Sequence, residues 1–206
     1  GGVVERTCQM SRHLVQSGVE CAILTMEPGL TEERQKLLQD IEVVVLPCLN
    51  KRFYIPRISY RKMKNAVKNS SIIHLSDYWT FLNILIYIFS RFSRKPYVLC
   101  AAGSLKIYGR SKVLKRIFHA VIGKRILRDA SACIAITNEE IVQFISYGVK
   151  ADRIVLIPNG ISMDSLLVKD DKAFREKFYL GTDPFILYMG RLNAIKGPDL
   201  LMKAFC

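Results

Sequence analysis

Short apolar runs rich in β-branched residues alternate with amphipathic segments along most of this chain, and this alternation constrains the fold more than any other feature. The short runs have the length of buried strands, and the amphipathic segments have the period of helices that cover a sheet. The predicted strands are 20–26, 42–46, 71–75, 97–101, 132–136, 154–157 and 185–189. The predicted helices are 3–17, 31–39, 58–68, 79–90, 112–128, 138–147, 172–178 and 198–205. This order predicts an α/β fold, a parallel sheet with helices on both faces.

A Pro-Asn-Gly turn at 158–160 ends the alternation, and a charged stretch at 169–177 follows it. We expect a first domain at 1–160, an interdomain linker at 161–183 and the truncated start of a second domain at 184–206. A glycine pair such as Gly1 and Gly2 usually follows a strand in a strand-to-helix turn. We therefore also expect that the first strand of the sheet is missing.

The net charge of +13 favours an anionic partner: a phosphate-bearing substrate, an anionic membrane or a nucleic acid. The basic residues concentrate at 51–64, where aromatic residues accompany them, and at 106–128. A solvated helix face explains either stretch equally well. Charge alone therefore does not choose among the partners.

The six cysteines are scattered, without CxxC spacing or a Cys/His cluster, so we expect no metal site and read them as reduced thiols of a cytoplasmic protein. The sequence also lacks the P-loop, the GxGxxG fingerprint and the GxSxG nucleophile elbow. The longest apolar run, 81–89, is far shorter than the roughly 20 residues that span a bilayer.

The loop that follows the run 185–189 carries two cations that are spaced to hold a diphosphate. Gly190 allows a tight turn, Arg191 offers a planar fork of donors, and Lys196 places a compact charge at the start of the next helix. The positive end of that helix would favour the same anion. Cations beside such a loop are also ordinary solvated surface charges. The residues alone leave both interpretations open.

Several stretches resemble the GT-B retaining glycosyltransferases of the glycosyltransferase family 4 type. The runs 190–192 (Gly-Arg-Leu) and 196–205 are similar to the donor-side signature of that family, and the start Gly-Gly-Val-Val-Glu-Arg is similar to its opening. Further similar stretches are 100–105, 109–115, 128–131, 135–140 and 157–161. The resemblance covers nearly the whole chain, and its motifs are moderately specific together and weak singly.

The resemblance implies that 1–160 is the acceptor-side Rossmann-like domain and that 184–206 begins the nucleotide-sugar-binding domain with one strand-helix unit. It assigns the donor diphosphate to four residues: Gly1, Gly2, Arg191 and Lys196. It also implies a loop for the acceptor or the sugar, formed by Ala102, Gly103 and Ser104.

No residue is assigned as catalytic. Many family members carry a histidine where Ala102 stands, and an alanine cannot exchange a proton. His74 resembles a histidine at a family strand end, with Ser76 in place of the second histidine there. A lone histidine at a strand end is more often structural.

The implied activity is transfer of a sugar from a nucleotide sugar to a glycan, lipid-linked or small-molecule acceptor, with retention of configuration. The leaving diphosphate itself would help to deprotonate the acceptor, so no metal or other cofactor is expected. The chain is expected to be an inactive fragment, because the family's acidic donor-site residues would lie beyond Cys206. The stretch 51–64 is a candidate for peripheral contact with anionic membrane at its inner face.

Two alternatives stay open: a nucleotide-sugar epimerase of the same fold, and a noncatalytic basic module that binds nucleic acid. The absence of RRM, KH and helix-turn-helix signatures argues against the second alternative, as does the dispersal of aromatic residues into apolar runs. We therefore expect no nucleic-acid partner.

Overall fold

The computed structural model describes residues 2–107, 111–160, 171–193 and 196–205. It contains these helices: α1 Gly2–Gln16, α2 Glu32–Leu37, α3 Tyr60–Asn69, α4 Phe81–Ser93, α5 Lys112–Phe118, α6 Lys124–Arg128, α7 Asn138–Ser146, α8 Lys172–Phe178 and α9 Pro198–Phe205. Its strands are β1 Ala22–Met26, β2 Glu42–Leu46, β3 Cys48–Asn50, β4 Ile55–Pro56, β5 Ile73–Ser76, β6 Tyr97–Cys100, β7 Ala132–Ala135 and β8 Ile154–Leu156. A 3₁₀ turn at Ala151–Arg153 precedes β8.

The chain divides into two units, Gly1–Asn159 and Gly160–Cys206. The division lies one residue from the expected end of the first domain at 160. The expected linker contains α8, and its part at 161–170 lies outside the described residues. The roles expected for the two domains stay predictions.

The first unit contains a parallel sheet in the order β5-β6-β7-β8, which confirms the predicted α/β architecture. A second parallel sheet pairs β1 with β2. Among the described residues, no strand pairs with the free edges of β1 and β5. In the doubly wound order 3-2-1-4-5-6, the first strand lies between the second and the fourth.

One apolar core connects the two parallel sheets. Leu46 of β2 and Leu99 of β6 are fully buried in it, together with Met63 of α3, Leu127 of α6 and Phe144 of α7. Burial of each such side chain contributes about 1.5–3 kcal/mol. The strands are hydrophobic in continuous runs because helices cover the parallel sheet.

Threonines cap the N-termini of three helices, α2, α4 and α7. The Oγ1 atoms of Thr31, Thr80 and Thr137 each accept a hydrogen bond from the backbone N–H three residues later, at 3.4, 3.2 and 3.3 Å. Gly18 and Gly148 follow α1 and α7 with φ of +81° and +84°, the left-handed backbone of a glycine that ends a helix.

The predicted helix 112–128 contains a π-helical turn at His119–Gly123, between α5 and α6. Tyr78 packs at this turn: its Oη atom lies 2.7 Å from His119 Nδ1, and a Cβ on Gly123 would lie 2.2 Å from the same oxygen. The turn therefore has a long-range packing partner that local periodicity does not reveal.

The run 185–189, predicted as a strand, is not a strand in the structure. Ile186, Leu187 and Met189 are 63%, 60% and 90% exposed. A strand needs a neighbour for its backbone hydrogen bonds, and no segment of the described residues pairs with this run. The helix of the predicted strand-helix unit is present in the structure and is α9.

The antiparallel pair β3–β4, whose register shifts between Cys48 and Asn50, is not among the predicted strands. These strands are too short to show an alternating pattern. Within the described ranges, no helix is both long and apolar enough to span a bilayer.

Replacing Gly123 with Ala should lower the free energy of unfolding of the first unit by about 1–3 kcal/mol, because the added methyl group overlaps the buried Tyr78 side chain. Thermal unfolding followed by circular dichroism measures the change. Gly2→Ala is the matched control within the first unit, since a Cβ there meets no atom within 4 Å. Equal melting temperatures for the two variants would contradict the packing role of Gly123.

Candidate functional site

The loops that follow β5, β6 and β7 lie at the carboxyl edge of the main sheet, where open α/β folds bind ligands. Two consecutive residues after β6 have left-handed backbone, Ala102 with φ +50° and Gly103 with φ +84°. Asp77, after β5, has φ +71°. Left-handed conformations of non-glycine residues cost about 1–3 kcal/mol and cluster at binding sites. This edge is therefore the candidate site of the first unit.

The Glu140 carboxylate holds two of these loops together. Its Oε1 atom accepts a hydrogen bond from the N–H of Gly103 at 2.7 Å, and its Oε2 atom accepts one from the N–H of Ile136 at 2.8 Å. Glu140 is only 1% exposed and lies in the first turn of α7, where the helix dipole favours an anion. The carboxylate thus fixes the loop after β6 to the loop after β7.

Glu140 stands three residues after Thr137, which is the spacing of a capping box. The Glu140 N–H donates to Thr137 Oγ1 at 3.3 Å, but both carboxylate oxygens bind elsewhere. The loop-holding role of Glu140 was therefore missed. The sequence does contain a sign that Glu140 points inward. Glu140 and the buried Phe144 are four residues apart, so they share the inward face of α7.

The backbone of the predicted acceptor loop, Ala102 to Ser104, is held from other elements as well. The indole N–H of Trp79 donates to the carbonyl of Ser104, and Tyr147 Oη donates to the carbonyl of Leu105 at 3.1 Å. The hydroxyl of Ser104 donates to the carbonyl of Ala101 at 2.6 Å. The loop therefore has a defined shape before any ligand binds, which reduces the entropy that binding would lose.

Asn83 fixes the end of β5 in the same manner. Its side-chain amide donates to the carbonyls of Ser76 and Asp77 at 3.0 and 2.9 Å, and it is 7% exposed. Asp77 Oδ1 accepts from the N–H of Tyr78 at 2.5 Å. The role of Asn83 is not predicted from the sequence. The only indication of it there is that a polar residue stands within the apolar run 81–89.

His74 is a neutral residue at this edge. Its Nδ1 atom lies 3.3 Å from Ser76 Oγ, which lies 3.3 Å from Thr7 Oγ1 on α1. Its Nε2 atom is buried and has no hydrogen-bond partner among the described residues. Burial, and then the nearby Arg6 cation, lower the pKa of His74 to about 4. An imidazole with this pKa is a weak base, so the neutral ring is a poor proton acceptor near neutral pH.

The residues predicted to hold the diphosphate lie in different units. Gly2 begins α1 in the first unit, is exposed, and would place a Cβ in open space; Gly1 lies outside the described residues. Arg191 and Lys196 are exposed in the second unit, and the Lys196 N–H donates to Asn193 Oδ1 at 3.1 Å. Their role in binding stays a prediction. The described residues contain no cluster of His, Cys, Asp or Glu side chains suited to a metal ion.

The main parallel sheet and the loops at its carboxyl edge define a Rossmann-like α/β domain. The sequence model of glycosyltransferase family 4 matches residues 1–165. The chain therefore belongs to glycosyltransferase family 4, which confirms the resemblance seen in the sequence.

Among similar proteins is the D-inositol 3-phosphate glycosyltransferase of Xylanimonas cellulosilytica, 37% identical over 93 residues, which cover 41% of this chain and 22% of that protein. The Nocardia farcinica protein of the same name is 32% identical over 83 residues, covering 39% of this chain and 18% of the relative. The matches thus span about a fifth of these relatives' length.

Among solved structures, the Anabaena protein HepE in complex with UDP-glucose aligns with a TM-score of 0.65 at 17% identity. The alignment covers 89% of this chain and 57% of HepE. HepE with UDP and glucose gives a TM-score of 0.64 at 15% identity, over 90% of this chain and 57% of that one. These likenesses confirm the Rossmann-like fold of the GT-B type.

Glu140→Gln should lower the free energy of unfolding by about 1–3 kcal/mol, because an amide has one oxygen and leaves either the Gly103 or the Ile136 N–H without an acceptor. Glu139→Gln, at an exposed neighbour in the same first turn, is the matched control and should lower the melting temperature much less, because the Glu139 carboxylate is bonded only at the solvated start of α7. Thermal unfolding of the two variants side by side measures the difference. A Glu140→Gln protein as stable as Glu139→Gln would show that the carboxylate does not hold the loops.

His74 should make the protein less stable as the pH falls from about 6.5 to about 4. Its pKa is lower in the folded state than the ordinary value of 6.5, so the unfolded chain binds more protons in this window and stability rises with pH. The effect is on the order of 3 kcal/mol across the window.

His74→Asn should therefore flatten the dependence of the melting temperature on pH between 6.5 and 4. His13→Asn, at an exposed histidine of α1, serves as the control and should keep the wild-type slope. If His74→Asn keeps that slope too, another group carries the pH dependence.

Proposed function

We propose that the protein works as a glycosyltransferase that moves a sugar from a nucleotide sugar to an acceptor with retention of configuration. The family match over residues 1–165 carries this proposal. The first unit would supply the acceptor-side domain, and 184–206 would begin the donor-side domain. A chain limited to these residues would be inactive, because most of the donor-side domain is needed to bind the nucleotide and the sugar.

On the donor side, Arg191 and Lys196 neutralise the charge that develops on the diphosphate as it leaves. Arg191 can bind two phosphate oxygens through its planar fork, and Lys196 adds a point charge beside the start of α9. Gly1 and Gly2 are also assigned to the diphosphate in this proposal; Gly2 begins α1, and the free N–H groups of a helix start suit an anion. These groups provide the positive charge, so the reaction needs no metal ion or other cofactor.

On the acceptor side, the loop Ala102 to Ser104 positions the attacking hydroxyl group. Ala102 cannot take a proton, and the low pKa and burial of His74 make it unsuited to proton exchange. The leaving phosphate oxygen then takes the proton from the acceptor on the same face of the sugar, as retention requires. The acceptor is a glycan, a lipid-linked molecule or a small molecule.

HepE, whose structures contain UDP and UDP-glucose, supports a nucleotide sugar as the donor class. The relatives named D-inositol 3-phosphate glycosyltransferase support sugar transfer as the reaction class. For this chain, the donor and the acceptor are part of the proposal.

We place the enzyme in the cytoplasm, in peripheral contact with the inner face of the membrane. The contact would use the hairpin surface, which we define as residues 51–64 around the tip of the β3–β4 pair. There the Arg52 guanidinium lies 5.4 Å from the centre of the Phe53 ring, and Lys64 Nζ lies 5.4 Å from the centre of the Tyr60 ring. All four side chains are exposed, which suits a boundary of head groups and acyl chains.

Replacing Arg191 and Lys196 with Ala in the enzyme with its whole donor-side domain should weaken nucleotide-sugar binding by about a hundredfold or more, because each change removes a charge-assisted contact with the diphosphate. Isothermal titration calorimetry with the nucleoside diphosphate and with its sugar conjugate measures the loss. Lys203→Ala, at an exposed lysine of α9, is the matched control and should bind normally.

Unchanged affinity in the double variant would remove both cations from the proposed site. The same enzyme should release the nucleoside diphosphate only when an acceptor is present. An epimerised nucleotide sugar formed without any acceptor would instead assign the protein to the epimerases.

A further inference from the structure

The start of the π-helical turn packs against two aromatic side chains that hold the loop after β6. The ring of Phe118, the last residue of α5, has its centre 5.4 Å from that of the Trp79 ring. The imidazole of His119, the first residue of the turn, has its centre 4.1 Å from that of the Tyr147 ring. Aromatic rings within roughly 7 Å of each other attract. Two adjacent residues therefore contact both of these side chains.

Tyr78 joins the two contacts into one cluster. It is fully buried, and its ring lies edge-on to Trp79 at 4.6 Å and to Phe118 at 5.6 Å, between ring centres. Its Oη atom lies 2.7 Å from His119 Nδ1. We name the five side chains of this cluster the aromatic wall: Tyr78, Trp79, Phe118, His119 and Tyr147.

The aromatic wall binds the chain at two consecutive carbonyl groups, at the end of the acceptor loop. The indole N–H of Trp79 donates to the carbonyl of Ser104. The hydroxyl of Tyr147 donates to the carbonyl of Leu105 at 3.1 Å. Each donor is itself in contact with one of the two residues at the start of the π-helical turn. Without that contact, the donor side chain would gain freedom to rotate away from its carbonyl.

We propose that Phe118 and His119 are positioning residues of the acceptor site. Phe118 acts through Trp79 on the shape of the loop Ala102 to Ser104. His119 acts on the same loop through Tyr147. A loop of fixed shape loses less entropy on binding, and π-helical turns are frequent at functional sites. The word acceptor rests on the proposed function, whereas the hold on the loop does not depend on it.

The aromatic wall also packs against the apolar core, through Trp79, Phe118 and Tyr147 among others. If its role were only to stabilise the fold, removing a ring would lower the melting temperature and affect the loop no more than other regions. A positioning role predicts local opening of the loop while the protein stays folded. Amide exchange of the loop, compared with the melting temperature, separates the two roles.

Hydrogen exchange followed by mass spectrometry tests the proposal on the protein without substrate. The N–H groups of Gly103 and Ser104 report on the loop, because both are hydrogen-bonded when it is closed. Phe118→Ala and His119→Ala should each speed exchange of the loop at least about fivefold, the effect of one lost hydrogen bond on a local equilibrium. Circular dichroism melts show that each variant is folded. Phe118→Leu and His119→Gln replace an alanine variant that is not, and should change exchange in the same direction.

Two conservative variants remove the hydrogen bonds to the loop and keep an aromatic ring. Trp79→Phe and Tyr147→Phe should speed exchange of the loop by a similar factor. Phe118→Ala combined with Trp79→Phe should exchange no faster than Trp79→Phe alone, because Phe118 acts through the indole N–H. His119→Ala combined with Tyr147→Phe should likewise match Tyr147→Phe alone.

Trp79 is the only tryptophan of the sequence, so tryptophan fluorescence reports directly on the aromatic wall. Phe118→Ala should shift the emission maximum to longer wavelength, because water gains access to the indole. The shift gives a spectroscopic signature of the contact with Phe118 that does not depend on exchange.

Tyr97→Phe is the matched control. The Tyr97 hydroxyl donates to the carbonyl of Ile126 at 2.6 Å, which is the same kind of bond as that of Tyr147. Tyr97 begins β6, whereas the acceptor loop follows the other end of that strand. The control should therefore lower the melting temperature and leave loop exchange and tryptophan emission as in the wild type.

Three outcomes would overturn the proposal. Loop exchange could be unchanged in the variants of Phe118 and His119. Tyr97→Phe could speed it equally, which would show that exchange follows global stability. The effects could add in the double variants, which would show that the two residues do not act through Trp79 and Tyr147. Because no sugar transfer is measured, each of these results is distinct from failure of the proposed enzyme activity.

Discussion

The buried carboxylate of Glu140 is the interaction on which the candidate site depends. An ionised group inside a protein is unfavourable by several kcal/mol unless hydrogen bonds replace its water. Here the replacement comes from two backbone N–H groups that belong to loops after different strands. Both strands and α7 must therefore be in place together before the carboxylate is satisfied. This dependence ties the shape of the loop at Ala102 to the completion of the whole sheet.

Local patterns predicted most of the regular structure. The bounds of β2, α8 and α9 agree with the predicted ranges, and the Thr137 cap of α7 is a contact between residues three apart. These features depend on periodicity and on side chains a few residues apart, which the sequence displays directly. The family resemblance, carried by short motifs spread over the chain, was equally visible before the structure.

The remaining features depend on partners that are distant in the sequence. The π-helical turn forms where Gly123 meets the Tyr78 hydroxyl, and the run 185–189 does not become a strand because no described strand pairs with it. The second bond of Glu140 reaches a loop in front of α5. Apolar content and β-branched residues indicate that a segment can form a strand, but they do not supply its neighbour.

The left-handed backbone at Ala102 has a consequence for how such enzymes change over time. The loop is held through main-chain groups, by Glu140 at Gly103 and by Trp79 at Ser104, and not through the side chain at position 102. Histidine is among the residues that enter this backbone region more readily than most. The side chain at 102 can therefore be exchanged between a proton-carrying and an inert one while the scaffold keeps its shape. Chemistry and architecture are separable at this position, so catalytic character can evolve there without refolding the domain.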